Sequence, residues 1–141
     1  MRIPRSTLAI GALAVFIPIA LNGQQRSMPV VSAIDAKGVR HECQSGDVGR
    51  IPWLNDVVRS VVPVYPVSER INHHKGLVVL RITLDSKTGS VTRTIVVASS
   101  GFPVLDQSAV AAFRQWRWRP ARWKEMDIPV SFEFGPWGMS Y

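Results

Sequence analysis

Apolar and polar positions alternate most regularly in the second half of the chain. Val78, Leu80, Ile82 and Leu84 are interleaved with Val79, Arg81 and Thr83, so the period of two predicts a half-buried strand over residues 77–84. Asp85-Ser86-Lys87-Thr88-Gly89 follows as a hairpin signal. The return strand over residues 90–98 is rich in β-branched side chains (Val91, Thr92, Thr94, Ile95, Val96, Val97). Ser99-Ser100-Gly101-Phe102-Pro103 then breaks the pattern. Leu105, Ala109, Ala112, Phe113 and Trp116 recur at helical spacing and share one face, with Asp106 near the predicted start and Arg114 and Arg117 near the end, where they complement the helix dipole. Beyond Pro120 the alternation returns over residues 127–134, with Ile128, Val130, Phe132 and Phe134 on one side. Ahead of all this, residues 66–72 read as a short helix that Pro66 can enter without losing a needed donor, and Gly76 releases the chain into the first strand.

The order helix, strand, strand, helix, strand predicts an α+β fold: a small three-stranded antiparallel sheet with a helix packed across one face. Pro129 adds a constraint. A proline inside a strand lacks the ladder donor and is tolerated on an edge, so the last strand is expected at the edge of the sheet, open to pairing with another chain.

The first half is organised differently. Residues 1–23 carry Arg2 and Arg5 ahead of an uncharged stretch, 6–23, whose apolar centre spans 8–21. This is the pattern of a signal peptide or an N-terminal membrane anchor, and either exports the rest of the chain, soluble after cleavage or tethered to the membrane. Residues 24–64 are turn-rich (Pro29, Gly38, Gly46, Gly49, Pro52, Pro63) and read as a periplasmic connector. Within it Trp53, Leu54, Val57, Val58 and Val61 predict a short amphipathic helix over residues 53–62 that docks against the domain formed by residues 65–141.

Composition narrows the chemistry. With 17 Lys and Arg against 10 Asp and Glu, the formal charge of +7 favours acidic partners or surfaces. A single cysteine, Cys43, excludes an intrachain disulfide framework and reads as a small apolar residue. His41, Cys43, His73 and His74 show no pair at zinc-site spacing, so no metal and no other cofactor is expected, and the two adjacent histidines are expected in an exposed turn. The segment Trp116-Arg117-Trp118-Arg119 with Arg122, Trp123 and Lys124 mixes aromatics with cations. Trp116 falls on the buried helix face, which favours core tryptophan flanked by solvated arginines, or a docking patch for an acidic partner, over nucleic acid. Ser99-Ser100-Gly101 lacks the G-x-S-x-G frame, and Asp85, Asp106, Asp127 and Glu133 are scattered, so no catalytic residues and no enzyme activity are expected.

Taken together, Tyr65-Pro66, Gly76 and the strand after it, the Asp85 to Gly89 turn, Ser99-Ser100-Gly101, Leu105-Asp106, Trp116-Arg117-Trp118-Arg119-Pro120-Ala121 and Ile128-Pro129-Val130-Ser131-Phe132 resemble the TonB C-terminal domain family, over about half the chain. The resemblance implies a periplasmic energy transducer or adaptor. Its last strand would pair with the TonB box of a TonB-dependent outer-membrane receptor, driven through ExbB and ExbD, in support of transmembrane transport. The partner-binding residues so implied are Asp127, Ile128, Pro129, Val130, Ser131, Phe132, Glu133 and Phe134, with Arg70 nearby in the first helix, where the family's best-known residue is Gln. Two other features depart from the family pattern: residues 8–21 contain no His, and residues 24–64 lack a Pro-rich spacer. That arm reaches ~140 Å at most and ~35 Å if flexible. The alternative reading is a structural periplasmic module that pairs through its edge strand without transducing energy, including with a second copy as a homodimer.

Overall fold

The structure, a computed structural model, describes residues 29–44 and 50–134; the expected signal or anchor segment lies outside the described residues. Nine named elements follow one another: β1 (Val30–Asp35), β2 (Arg40–Gln44), β3 (Val57–Arg59), α1 (Val67–Ile71), β4 (Gly76–Leu84), β5 (Val91–Ala98), α2 (Pro103–Phe113), β6 (Arg117–Trp118) and β7 (Trp123–Phe132), with a 3-10 turn at Pro52–Asp56.

The fold is α+β, and the main sheet has five strands in the order β2-β1-β7-β4-β5 rather than the three expected. The expected strands are there as the contiguous group β7-β4-β5, all antiparallel. The additional pair comes from residues read as connector. Asp35 makes that hairpin possible: its Oδ1 accepts from the amides of Lys37 and Val39, each at 2.9 Å, while Gly38 turns the chain at φ +86°. The same device closes the β4–β5 hairpin, where Asp85 Oδ1 accepts from Lys87 at 2.8 Å and Gly89 adopts φ +72°. Gly89 also lies against β6, since a Cβ there would meet the Trp118 carbonyl oxygen at 1.9 Å.

α2 crosses one face of the sheet. Leu105, Ala109, Ala112 and Phe113 bury themselves against the inward side chains Val78, Leu80 and Ile82 of β4 and Ile128, Val130 and Phe132 of β7. The helix ends at Phe113, earlier than the sequence pattern suggested, and Trp116 reaches the same core from beyond it by stacking on Phe113 at 4.2 Å. Asp106 does not cap the helix. Its carboxylate reaches back to Ser99 Oγ at 2.5 Å and to the amide and hydroxyl of Ser100 at 2.9 and 2.7 Å, which fixes the β5–α2 turn. Burial pushes this carboxyl up, but the hydrogen bonds from Ser99 and Ser100 outweigh burial and hold it below the ordinary carboxylate value.

Residues 53–62 are helical only as a 3-10 turn over Pro52–Asp56. That turn passes into β3, which pairs with β6 in a separate two-stranded sheet. The density of β-branched valines in this stretch favours extended backbone over a helix, where such side chains lose χ1 freedom. The segment does dock, through indoles. Trp53 Nε1 donates to the Asp127 carbonyl at 3.1 Å, Trp118 Nε1 to the Trp53 carbonyl at 2.8 Å, Trp116 Nε1 to the Val61 carbonyl at 2.7 Å and Trp123 Nε1 to Asp56 Oδ2 at 2.8 Å.

Candidate functional site

β7 lies between β1 and β4, so it is not an edge strand along its whole length. β1 covers only its first part, with Ala33 opposite Met126, Ile34 opposite Glu125 and Asp35 opposite Trp123. β4 runs along the rest, from Arg81 opposite Asp127 to Gly76 opposite Phe132. Past Met126, therefore, β7 has a strand on one side and, among the described residues, none on the other.

The direction of the free side follows from one bond. The Asp127 carbonyl accepts the Trp53 indole, so it points away from β4. Backbone polar groups alternate along a strand, so those of Pro129 and Ser131 also face away from β4, while those of Ile128, Val130 and Phe132 serve the ladder. Pro129 thus withholds a donor from the free side and costs the sheet nothing. The edge expectation drawn from Pro129 holds for this short stretch and fails for the strand as a whole.

Beside the free stretch runs a groove of about 360 Å³ whose walls include Leu54, Val62, Tyr65, Phe113, Trp116 and the edge of β7 itself. Its far bank is the extended chain over residues 60–65. Two side chains hold that bank: Trp116 through the Val61 carbonyl, and Ser108, whose hydroxyl donates to the Val64 carbonyl. Tyr65 closes one end, edge-on to Phe132 at 5.4 Å and stacked on Phe134 at 5.5 Å. Burial lifts the Tyr65 phenol above its ordinary value, with Glu69 adding to the shift, so the hydroxyl stays protonated and donates to the His74 carbonyl.

The expected site residues divide into three groups. Ile128, Val130 and Phe132 are buried under α2. Asp127 is buried too and committed, accepting from Arg81 Nε and Nη2 at 2.8 and 3.1 Å on the opposite face of the sheet. That bidentate pair raises the Arg81 guanidinium further and leaves Asp127 no free carboxylate for a partner. Pro129 and Ser131 supply the free backbone. Glu133 and Phe134 are exposed past the strand end, and Arg70 is exposed on α1, close enough for its charge to act on the Tyr65 phenol. The groove walls Leu54, Val62 and Phe113 were not expected at the site. Leu54 is on the predicted apolar helix face of residues 53–62 and Val62 only at its end, and the proximity of all three to β7 depends on pairing between distant segments.

The histidines have structural partners. His74 stacks on Phe102 at 4.2 Å and pairs with Glu69 at 2.7 Å, so it is less exposed than the turn suggested; His41 pairs with Asp35 at 3.0 Å. Among the described residues no group of three or more His, Cys, Asp or Glu could hold a metal ion, and no helix is long and apolar enough to cross a membrane.

A short antiparallel sheet backed by one helix, with a strand part-open beside an apolar groove, defines a small α+β domain. The chain belongs to the family described as Gram-negative bacterial TonB protein C-terminal, whose model matches residues 61–136. It is 39% identical over 71 residues to Protein TonB of Neisseria gonorrhoeae, covering 50% of this chain and 25% of that protein. It is 38% identical over 71 residues to Protein TonB of Neisseria meningitidis serogroup C, with the same coverage. The match thus spans about a quarter of the length of these relatives. No solved structure matches the chain. β1, β2 and β3 all precede the family match, so the two strands beyond the expected three come from outside it.

Proposed function

We propose that this chain is a periplasmic TonB-like energy transducer or adaptor. It takes a short extended segment, the TonB box of an outer-membrane receptor, as an added strand along residues 129–132 of β7. The observation that carries this reading is the free backbone of Pro129 and Ser131 beside the apolar groove. The segment would support transmembrane transport from the periplasm, either from a soluble chain or from one held at the inner membrane by residues 6–23, where ExbB and ExbD would engage it. Arg70 and Glu133 would flank the incoming segment, and residues 65–141 would form the gripping domain.

Magnitudes say what such a grip requires. The free side offers the Pro129 carbonyl and the Ser131 amide and carbonyl, and such bonds contribute ~0.5–1.5 kcal/mol each. That is short of the ~8 kcal/mol of micromolar binding even before the cost of association. The remainder must come from side chains of the segment entering the groove, at ~1.5–3 kcal/mol for each large apolar residue buried. The grip is therefore expected to need apolar residues at alternate positions of the segment.

The test is a titration of the full chain in detergent micelles with receptor TonB-box peptides, following backbone amide shifts. Shifts concentrated on residues 129–134 and Tyr65 support the reading. If every receptor peptide leaves these amides unmoved, the strand-addition role fails, and concentration-dependent self-association through a sheet edge becomes the better account.

A further inference from the structure

The sheet ends at β2 and β5, and the two edges are built differently. β2 is short and carries its own ion pair, Arg40 Nε to Glu42 Oε1 at 2.9 Å, a common way of blunting an edge. β5 is eight residues long, contains no proline or lysine, and exposes Ile95, Val96 and Val97. Register shifts interrupt it near each end, opposite the Val79/Leu80 and Thr83/Leu84 steps, and leave a regular stretch from Arg93 to Val96. Since the Arg81 backbone faces away from β7, Arg93 and Ile95 bond to β4, and Thr94 and Val96 present their amides and carbonyls to the open side.

A hollow of about 500 Å³ lies along this edge, lined by Val91, Thr92, Arg93, Thr94, Ile95 and Arg114. Both of its charged residues are cations. Neither Arg93 nor Arg114 has a carboxylate partner among the described residues, whereas Arg40, Arg81 and Arg122 each have one. The Thr94 hydroxyl is buried there without a hydrogen-bond partner. Arg93 stands opposite Thr83 on the face away from α2, while Arg114 ends α2 on the other face. Arg93 and Arg114 therefore line the hollow from opposite faces of the sheet, beside an edge that no described strand covers.

We infer that β5 is a second, separate docking edge, and that its partner is an extended acidic protein segment with carboxylates at adjacent positions. The chemistry selects this occupant. Successive side chains of an added strand point to opposite faces, so neighbouring Asp or Glu residues reach Arg93 and Arg114 in turn while the backbone pairs with Thr94 and Val96. A second copy of this chain brings the same unpaired arginines and a net charge of +7 to the interface, which opposes self-pairing. The site shares no residue with the groove beside β7, so a partner held there and one held at β5 can be bound at once.

The probe is the capped peptide Thr-Val-Glu-Asp-Val-Thr, with its Gln/Asn counterpart as control, titrated into the full chain in detergent micelles at low and physiological salt. The acidic peptide should shift the amides of residues 92–96, and R93Q or R114Q should each weaken it about five- to tenfold, with the effect shrinking as salt rises. Both arginines are exposed, and an unchanged far-UV spectrum for each variant shows that the fold is retained. Equal binding of the uncharged peptide would overturn the inference, as would shifts confined to residues 129–132, or a dimer of the chain alone with β5 amides protected from exchange. Failure here leaves the β7 reading standing, because the two sets of amides are read separately.

Discussion

Gly89 is held by two independent constraints, a left-handed backbone at φ +72° and the Trp118 carbonyl 1.9 Å from where a Cβ would sit. Gly101 has the first constraint without the second: its φ is +91°, and nothing lies within 4 Å of the added carbon. G101A should therefore cost ~1–2 kcal/mol, the left-handed penalty alone. G89A should cost clearly more, on the order of 3 kcal/mol or above, because the β6 backbone must also move. Urea unfolding of the two variants checks the difference, and equal costs would mean that the β6 approach is soft. Asp106 supplies a pH-dependent counterpart. Its folded-state value lies below the ordinary 3.8, so its contribution is complete above that value and is lost as pH falls through the folded one. Asp106→Asn should lower stability at pH 7 by ~1.5–3 kcal/mol, the range for hydrogen bonds to a charged group. The variant should also lose less than the parent between pH 5 and pH 3. Thermal unfolding across that range, with a parallel slope for parent and variant as the contrary result, tests the assignment.

At the scale of elements, the alternation of backbone direction along β7 makes adjacent positions unequal. Ser131 faces the free side, so Ser131→Pro removes a donor that no strand uses; Val130 faces β4, so Val130→Pro removes a ladder bond and clashes within the sheet. Ser131→Pro should keep the native amide spectrum while weakening a bound segment about tenfold, through one lost hydrogen bond and the ring's obstruction. Val130→Pro should cost ~3 kcal/mol or more. If both variants unfold alike, the assignment of the free side is wrong. The elements that sequence reading captured share one property: their burial pattern is set within the element. β4 and α2 announce a period, the β5 partner a run of β-branched residues, and Gly76, Gly89, Gly101 and Pro103 mark the breaks between them, so local pattern sufficed. β1 and β2 do not. β1 buries Val31 and Ala33 but leaves Ser32, Ile34 and Asp35 half-buried, so a small residue inside and an isoleucine on the other face blur the alternation in the sequence. A signal did exist, since Asp35 and Gly38 repeat the Asp-and-Gly turn chemistry of Asp85 and Gly89. Residues 53–62 misled in the opposite direction, as Trp53, Leu54, Val57 and Val61 do pack inward at near-helical spacing, but from a 3-10 turn and extended chain. The candidate site was legible as a strand and not as a groove, because a strand is local and the walls of a groove are brought together only by long-range contacts.

For the whole molecule, the boundary between the family match and the rest of the chain does not coincide with the boundary of the core. Residues 61–136 contain the α-β-β-α-β unit, yet Val31, Ala33, Ile51 and Trp53 ahead of it are buried in the same core. Trp53 joins the parts most directly: its indole is tied to β7 and its carbonyl to Trp118, so removing it opens a space where two segments of the sheet system meet. Truncating a buried tryptophan to alanine costs ~3–5 kcal/mol, a large fraction of the ~5–15 kcal/mol that stabilises a domain. A chain begun at residue 61 loses that side chain, the β1 strand and the apolar cover of Trp123 together. It should unfold at much lower urea than a chain begun at residue 29, and its residues 123–126 should exchange amide protons rapidly, since β1 no longer pairs with them. The shorter chain also exposes the first half of β7, so receptor peptides should shift residues 123–126 in addition to 129–132. An equally stable shorter chain, with those amides protected, would show instead that the N-terminal hairpin rests on a domain complete without it.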